Sequence, residues 1–181
     1  MDISKQMHND HSDLRSLGQD ILKASDGGDV GGRDNQFDLY DVQLRRHLAV
    51  VEEVLLAPLK KKDGATQSVD DVKAQHKAIR KDLKHLDRKD KGSHEWTAEF
   101  RALTDKFEAM CKRHEALAHQ CESAVPGGSD QLARDYEEAK LNHMRGGYFS
   151  WNKVGAAVGA AAAVAGAAYA ANRYFKSGRR S

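Results

Sequence analysis

The chain has only two cysteines and two prolines in 181 residues, and aromatics make up 7% of it. Two thiols cannot staple a fold of this length. Cys111 and Cys121 fall on one predicted helix, about 15 Å apart along its axis, beyond the reach of a disulfide. That usage fits a reducing compartment, so an intracellular protein is expected. Pro58 and Pro126 both lie outside the helical stripes, and no Val/Ile/Thr-rich alternating run bounded by turns occurs. A sheet protein is excluded on those grounds, and an all-α fold is expected. The first residues, MDISKQMHND, contain no apolar stretch, so no secretory signal is expected. Nucleophile motifs, phosphate loops and acid/base pairs are also missing, and the chain is not read as an enzyme.

Charge of one sign is scarce as well. The net charge of +2 conceals a tail with five basic residues and no acidic ones: Lys153, Arg173, Lys176, Arg179 and Arg180. The remainder carries 24 basic against 27 acidic residues, a net −3. A mildly acidic body is a poor nucleic-acid partner. The basic stretch from Lys73 to Lys91 alternates with acids along a helix and reads as a solvated face.

What the sequence does have is four amphipathic segments, each with one histidine inside its apolar stripe. The first stripe is Ile3, Met7, His11, Leu14, Ile21. The second is Phe37, Tyr40, Leu44, His47, Val51, Val54. The third is Val72, His76, Ile79, Leu83, Leu86, and the fourth is Phe100, Leu103, Phe107, Met110, His114, Leu117. Steps of three and four, with one skipped in the first stripe, align these residues on one helix face. A buried imidazole needs partners for its ring nitrogens. Four of them facing one axis are better explained by a metal than by four separate accidents. The alternative is a bundle whose histidines bond to each other and to Tyr40, Thr104 or trapped water.

The predicted helices run from about Ser4 to Ala24, Gln36 to Leu59, Ser68 to Lys91, Ser93 or His94 to Ala124, and Asp130 to Met144. A Gly/Asp-rich loop, SDGGDVGGRDN, separates the first two. Residues 1–145 are thus expected to form an antiparallel up-down-up-down four-helix bundle with a short fifth helix. Residues 146–181 are expected to form an Ala/Gly-rich helical tail. Its stretch 154–171 has no charge and is flanked by Phe149, Trp151, Lys153, Arg173, Tyr174 and Phe175. That is the arrangement of a membrane span with interfacial anchors, although Ala contributes little insertion energy. Gly155 and Gly159 make a GxxxG face for tail–tail self-association. A span with a basic C-terminus suits a tail-anchored protein facing the cytosol, on a mitochondrial or peroxisomal membrane.

The order of blocks carries a resemblance. Asp10-His11 is followed by RRHLAVVEEVLLAPL, AQHKAIRKDL, FEAMCKRHEALAHQCESAVP and QLARDYEEAK. Over residues 1 to 145 this resembles the hemerythrin-like, HHE cation-binding domains, especially the fungal and bacterial forms. The resemblance implies a non-haem di-iron centre in the bundle core, and binding of dioxygen, sensing of oxygen or nitric oxide, or iron handling. It implies metal ligation by His11, His47, His76 and His114. Where the family usually has a glutamate four residues after the second histidine, this chain has Val51. Glu52, one residue further and about 140° from His47, could reach the metal from the stripe edge, especially with a local π-bulge. Arg80 stands where some members have a further histidine. Ala118 and His119 occupy the positions of a carboxylate on the fourth helix, so His119 is a candidate nitrogen ligand. Imidazoles with few carboxylates suit iron, with zinc as competitor. Asp10 and Glu115 are candidates to orient the ring N–H groups. Two rival functions stand beside this one: a membrane-anchored helical interaction module with a degenerate metal site, and an iron-dependent oxidase or iron-repair protein.

Overall fold

In the computed structural model, residues 2–60, 66–123 and 125–145 are described, and all of them are helix or short connection. They belong to the first of the two units into which the chain divides, Met1–Phe149. The elements are α1 (Ile3–Asp26), α2 (Val30–Val51), a π-helical turn (Glu52–Leu56), α3 (Ala57–Leu59), α4 (Thr66–Arg88), α5 (His94–Glu122) and α6 (Gly128–Arg145). Helices α1, α2, α4 and α5 form a four-membered ring of packed neighbours: α1 on α2 and α5, and α4 on α5 and α2. Residues 27–29 and 89–93 make short connections between α1 and α2 and between α4 and α5. Helix α6 lies against α1, α2, the π turn and α5.

Local signals explain the boundaries. Asp2 caps α1 by accepting from Ser4 N at 2.9 Å, and Ser93 caps α5 by accepting from Trp96 N at 3.2 Å. Helix α2 begins six residues earlier than the Gly-rich sequence suggests. Asp29 accepts from Gly32 N at 2.9 Å, which starts the helix inside the expected loop. A Cβ at Gly32 would collide with that Asp29 carboxylate, so glycine serves the cap here. Arg33 then holds the first turn down. It is buried, donates to the Lys91 and Ser25 carbonyls, and lies over the Trp96 ring at 5.8 Å. These contacts outweigh the poor helix propensity of two glycines. Toward the other end of this segment the ladder shifts to π, with Ala57 N–H bonding back to the Glu52 carbonyl. Pro58, which has no N–H to give to Val54, follows at once.

The core is in two parts with a polar layer between them. One apolar cluster gathers Ile3, Met7, Val50, Val51, Leu55, Val72, Leu117 and Tyr136, among others. The second gathers Leu14, Ile21, Phe37, Leu44, Ile79, Phe100, Phe107 and Met110, among others. Each bundle helix passes from one cluster to the other at its histidine: Met7–His11–Leu14, Leu44–His47–Val50, Val72–His76–Ile79 and Met110–His114–Leu117. All four histidines are buried. Burial of two complete apolar layers fixes the helix rotations, and those rotations aim the imidazoles at one another.

The tail expectation, including the span 154–171, Gly155, Gly159 and the basic end, lies outside the described residues. Among the described residues no helix is long and apolar enough to cross a membrane.

Candidate metal centre

The four imidazoles converge as their spacing predicts. Ring centroids of His11 and His47 are 5.0 Å apart, His47 and His114 5.3 Å, His11 and His114 5.8 Å, and His76 and His114 5.0 Å. His11, His47 and His114 each offer a nitrogen such that all three lie within 4.8 Å of one another, a group that could hold a metal ion. His114 sits in the middle. Its Nδ1 is 3.3 Å from His47 Nε2, and its Nε2 is 2.8 Å from His76 Nε2.

Outside the imidazoles is a set of carboxylates, each facing the Nδ1 of a different ring. Glu52 Oε1 is 2.8 Å from His76 Nδ1. Asp10 Oδ2 is 3.8 Å from His47 Nδ1, and Glu115 Oε1 is 3.8 Å from His11 Nδ1. The Tyr136 hydroxyl, delivered by α6, lies between Asp10 and His47. It stands 3.0 Å from His47 Nδ1 and donates to Asp10 Oδ2 at 2.9 Å. Lys140, one turn further along α6, donates to Asp10 Oδ1 at 2.7 Å. Arg80 donates to Glu52 Oε1 at 2.7 Å. Carboxylates behind metal-binding histidines fix the tautomer and turn the other nitrogen inward.

The electrostatics favour neutral rings at His11, His76 and His114. Burial is the foremost cause holding His11 down at about 3, with nearby positive groups adding to it. Burial likewise lowers His114 well below its ordinary value, and it lowers His76 despite the pull of Glu52. Burial works the other way on the acids but is outweighed. The bonds from His76 and Arg80 hold Glu52 at about 2, and the His47 and Lys140 contacts keep Asp10 well below the usual carboxylate range. Neutral imidazole with an available lone pair is the form a cation requires.

His11 supplies the test of fit. Both of its ring nitrogens are buried and have no hydrogen-bond partner among the described residues. An orphaned buried donor or acceptor costs about 1–3 kcal/mol, so native structures rarely leave one without a reason. A cation shared with His47 and His114 satisfies it. The alternative of histidines bonded to each other is met in part, since His114 lies within hydrogen-bonding distance of His47 and His76, but Tyr40 and Thr104 do not close the layer. The Tyr40 hydroxyl is buried without a partner, and Thr104 donates to its own helix at the Arg101 carbonyl, 2.7 Å away.

His119 is not in this group. Its side chain is 73% exposed, with Nδ1 3.6 Å from Glu122. Five residues beyond His114 on a regular α-helix, it has rotated away from the interior. Glu52, with the same offset from His47, meets His76 and Arg80 on α4 and lies at the edge of the layer. Two participants were not expected from the sequence: Tyr136, buried on α6 beside Leu132, Ala133 and Ala139, and Arg80 as the clamp on Glu52.

An all-helical bundle with a buried histidine layer is the architecture of a metal-binding bundle protein. The hemerythrin HHE cation binding domain matches residues 2–121, and the chain belongs to that family. No curated protein and no solved structure matches the chain.

Proposed function

We propose that this protein is a non-haem iron protein of the fungal and bacterial hemerythrin-like type that binds or senses a small diatomic ligand such as dioxygen or nitric oxide. Membership of a cation-binding family supports metal binding. The observation that carries the reading is His11, buried and unpartnered beside the nitrogens of His47 and His114. Iron bound there would supply an open coordination position for a diatomic molecule. The surroundings suit that ligand. Met7, Leu14, Val51, Phe107 and Leu117 flank the layer and exclude bulk water.

A cleft of about 170 Å³, lined by Arg15, Gly18, Tyr40, Phe107 and Glu108 among others, supports access from the α1–α5 side. Phe107 lines it and also stands edge-on to His11, with ring centroids 6.1 Å apart. Zinc is the competing metal for a nitrogen set, and an oxidase or iron-repair activity is the competing use of iron.

The test is elemental analysis of protein purified without an affinity tag, followed by anaerobic loading with Fe²⁺ and exposure to dioxygen or nitric oxide. Iron retention with a ligand-dependent absorption change supports the reading. A chain that retains no metal under any loading supports the interaction module with a degenerate site.

The same proposal places the protein at a membrane through residues 154–171, facing the cytosol. The support is the uncharged run between aromatic and basic flanks.

A further inference from the structure

We infer that the centre takes a single divalent cation held by one nitrogen each of His11, His47 and His114, and that His76 is the residue that orients His114 rather than a ligand. This rests on the metal reading above and specifies its stoichiometry and ligand set.

The argument is one of proton counting. Five contacts join the groups in a line: Asp10 to Tyr136, Tyr136 to His47, His47 to His114, His114 to His76, and His76 to Glu52. Each needs one proton if it is to be a hydrogen bond. With both carboxylates ionised, and one proton on each imidazole and on the tyrosine, there are four protons for five contacts. One contact is then either closed by a fifth proton or left as two lone pairs facing each other, which is the place a cation can occupy.

The ends of the line fix where. Glu52 accepts only, so His76 donates from Nδ1 and its Nε2 is bare. His114 must then donate from Nε2 across the 2.8 Å contact, which leaves its Nδ1 bare. From the other end, Asp10 accepts only, so Tyr136 donates to it and accepts from His47 Nδ1. That leaves His47 Nε2 bare. The unprotonated contact is the one between His47 Nε2 and His114 Nδ1, at 3.3 Å the longest of the five. His11 adjoins both rings, and its Nδ1 faces Glu115, so its Nε2 is free to complete the group.

His76 is excluded as a ligand by the same count. Its one lone pair accepts the His114 proton, and without it that N–H has no acceptor. Among the described residues no carboxylate joins the imidazoles in a group close enough to share a metal, so none is placed to bridge a second cation to the first. The Asp10 oxygens are taken by Lys140 and Tyr136. Glu52 Oε1 is taken by His76 and Arg80. Glu115, 47% exposed, sits behind His11.

The experiment uses the full-length chain stripped by chelator. Zn²⁺ is titrated by calorimetry, and the nitrogens around bound Cu²⁺ are counted by electron paramagnetic resonance. One equivalent and three nitrogens are expected in the unaltered chain, where no folding defect can interfere. Among variants checked for helicity, His76→Ala should weaken Zn²⁺ binding about 10- to 100-fold, as expected for a group behind a ligand. His76→Gln, which keeps an acceptor and a donor, should recover most of that loss, whereas His47→Ala should lose more than either. Two equivalents overturn the single-cation assignment while leaving the metal reading intact. Four nitrogens, or a His76→Gln loss equal to that of His47→Ala, overturn the role given to His76. Failure of every cation to bind refutes the metal reading itself.

Discussion

Tyr136 places its hydroxyl 3.0 Å from His47 Nδ1, although 89 residues separate them in the chain. The contact comes from α6, which begins beyond the last residue matched by the family domain, Cys121. The fifth helix is therefore part of the centre and more than a cap on the bundle. Tyr136→Phe keeps the ring and removes only the hydroxyl, so His47 and Asp10 lose their common partner. The loss should cost about 1–3 kcal/mol in urea unfolding of the metal-free protein. It should also weaken metal binding about 10- to 100-fold, because His47 loses its orientation. An unchanged affinity would show that His47 is held by packing alone.

The metal-free protein should lose stability in acid in two overlapping stages. His11 is held at about 3 against an ordinary 6.5, and His76 and His114 are lowered as well. Below pH 6.5 the unfolded chain takes up protons that the folded chain refuses. Stability therefore falls as the pH drops from 6.5 toward 3, by up to about 1.4 kcal/mol per pH unit for each such histidine. Glu52 adds a second loss between 4.5 and about 2, as its contacts with His76 and Arg80 are protonated away. Urea titrations at half-unit steps of pH measure this directly. His11→Met should flatten the slope between 6.5 and 4.5. A curve level from pH 7 to 5 would contradict the burial of these rings.

The convergence of His11, His47, His76 and His114 was legible in the sequence because helical period alone assigns a face, and apolar neighbours on both sides fix which face is inside. The carboxylates behind them were less so. Which oxygen meets which ring depends on the rotation of one helix against another, a property of packed pairs that no single segment displays. Glu52 and His119 show the limit. They share an offset of five residues from a stripe histidine, but Glu52 turns toward α4 and its two donors, while His119 turns into solvent. The start of α2 was misjudged for another reason. Glycine content argues for a loop, whereas the Asp29 cap and the Arg33 anchor to Lys91 and Ser25 are tertiary facts.

The contrast between Glu52 and its neighbours gives a mutational test. Glu52→Ala removes the acceptor of His76 Nδ1 and leaves Arg80 without its partner. Iron occupancy should fall clearly. Glu53 meets His143 at 2.9 Å near the surface, so Glu53→Ala should leave occupancy close to normal. His119→Ala should change neither occupancy nor stability beyond about 0.5 kcal/mol, the usual range for an exposed side chain. Occupancies measured by elemental analysis on the three variants side by side decide it. Equal values for Glu52→Ala and Glu53→Ala would remove Glu52 from the account of the site.

The two thiols should be inert in the folded protein. Burial pushes the Cys111 thiol up to about 12, and Cys121 is buried with its sulfur 3.3 Å from the Leu55 carbonyl. Reaction with a disulfide reagent needs a thiolate and a path to it. At pH 8 the native chain should therefore react slowly, and two equivalents should appear together on adding denaturant. Fast modification of one thiol without denaturant would indicate local opening around α5.

The last prediction separates body from tail. Among the described residues, the two apolar clusters and the histidine layer between them draw their buried members from residues 3–139. Deleting residues 149–181 should therefore release a chain that stays helical, binds metal with unchanged affinity and needs no detergent. The full-length protein should instead partition with membranes and require detergent for extraction, because an 18-residue uncharged run with Tyr, Trp and basic flanks matches a short span. Within the full-length chain, Gly159→Leu should weaken tail–tail association, since close helix approach depends on small residues at both GxxxG positions. Membrane attachment should survive that change, because leucine only adds apolar surface. Fractionation with the full-length protein in the soluble pool would reject the anchor and leave the metal centre untouched.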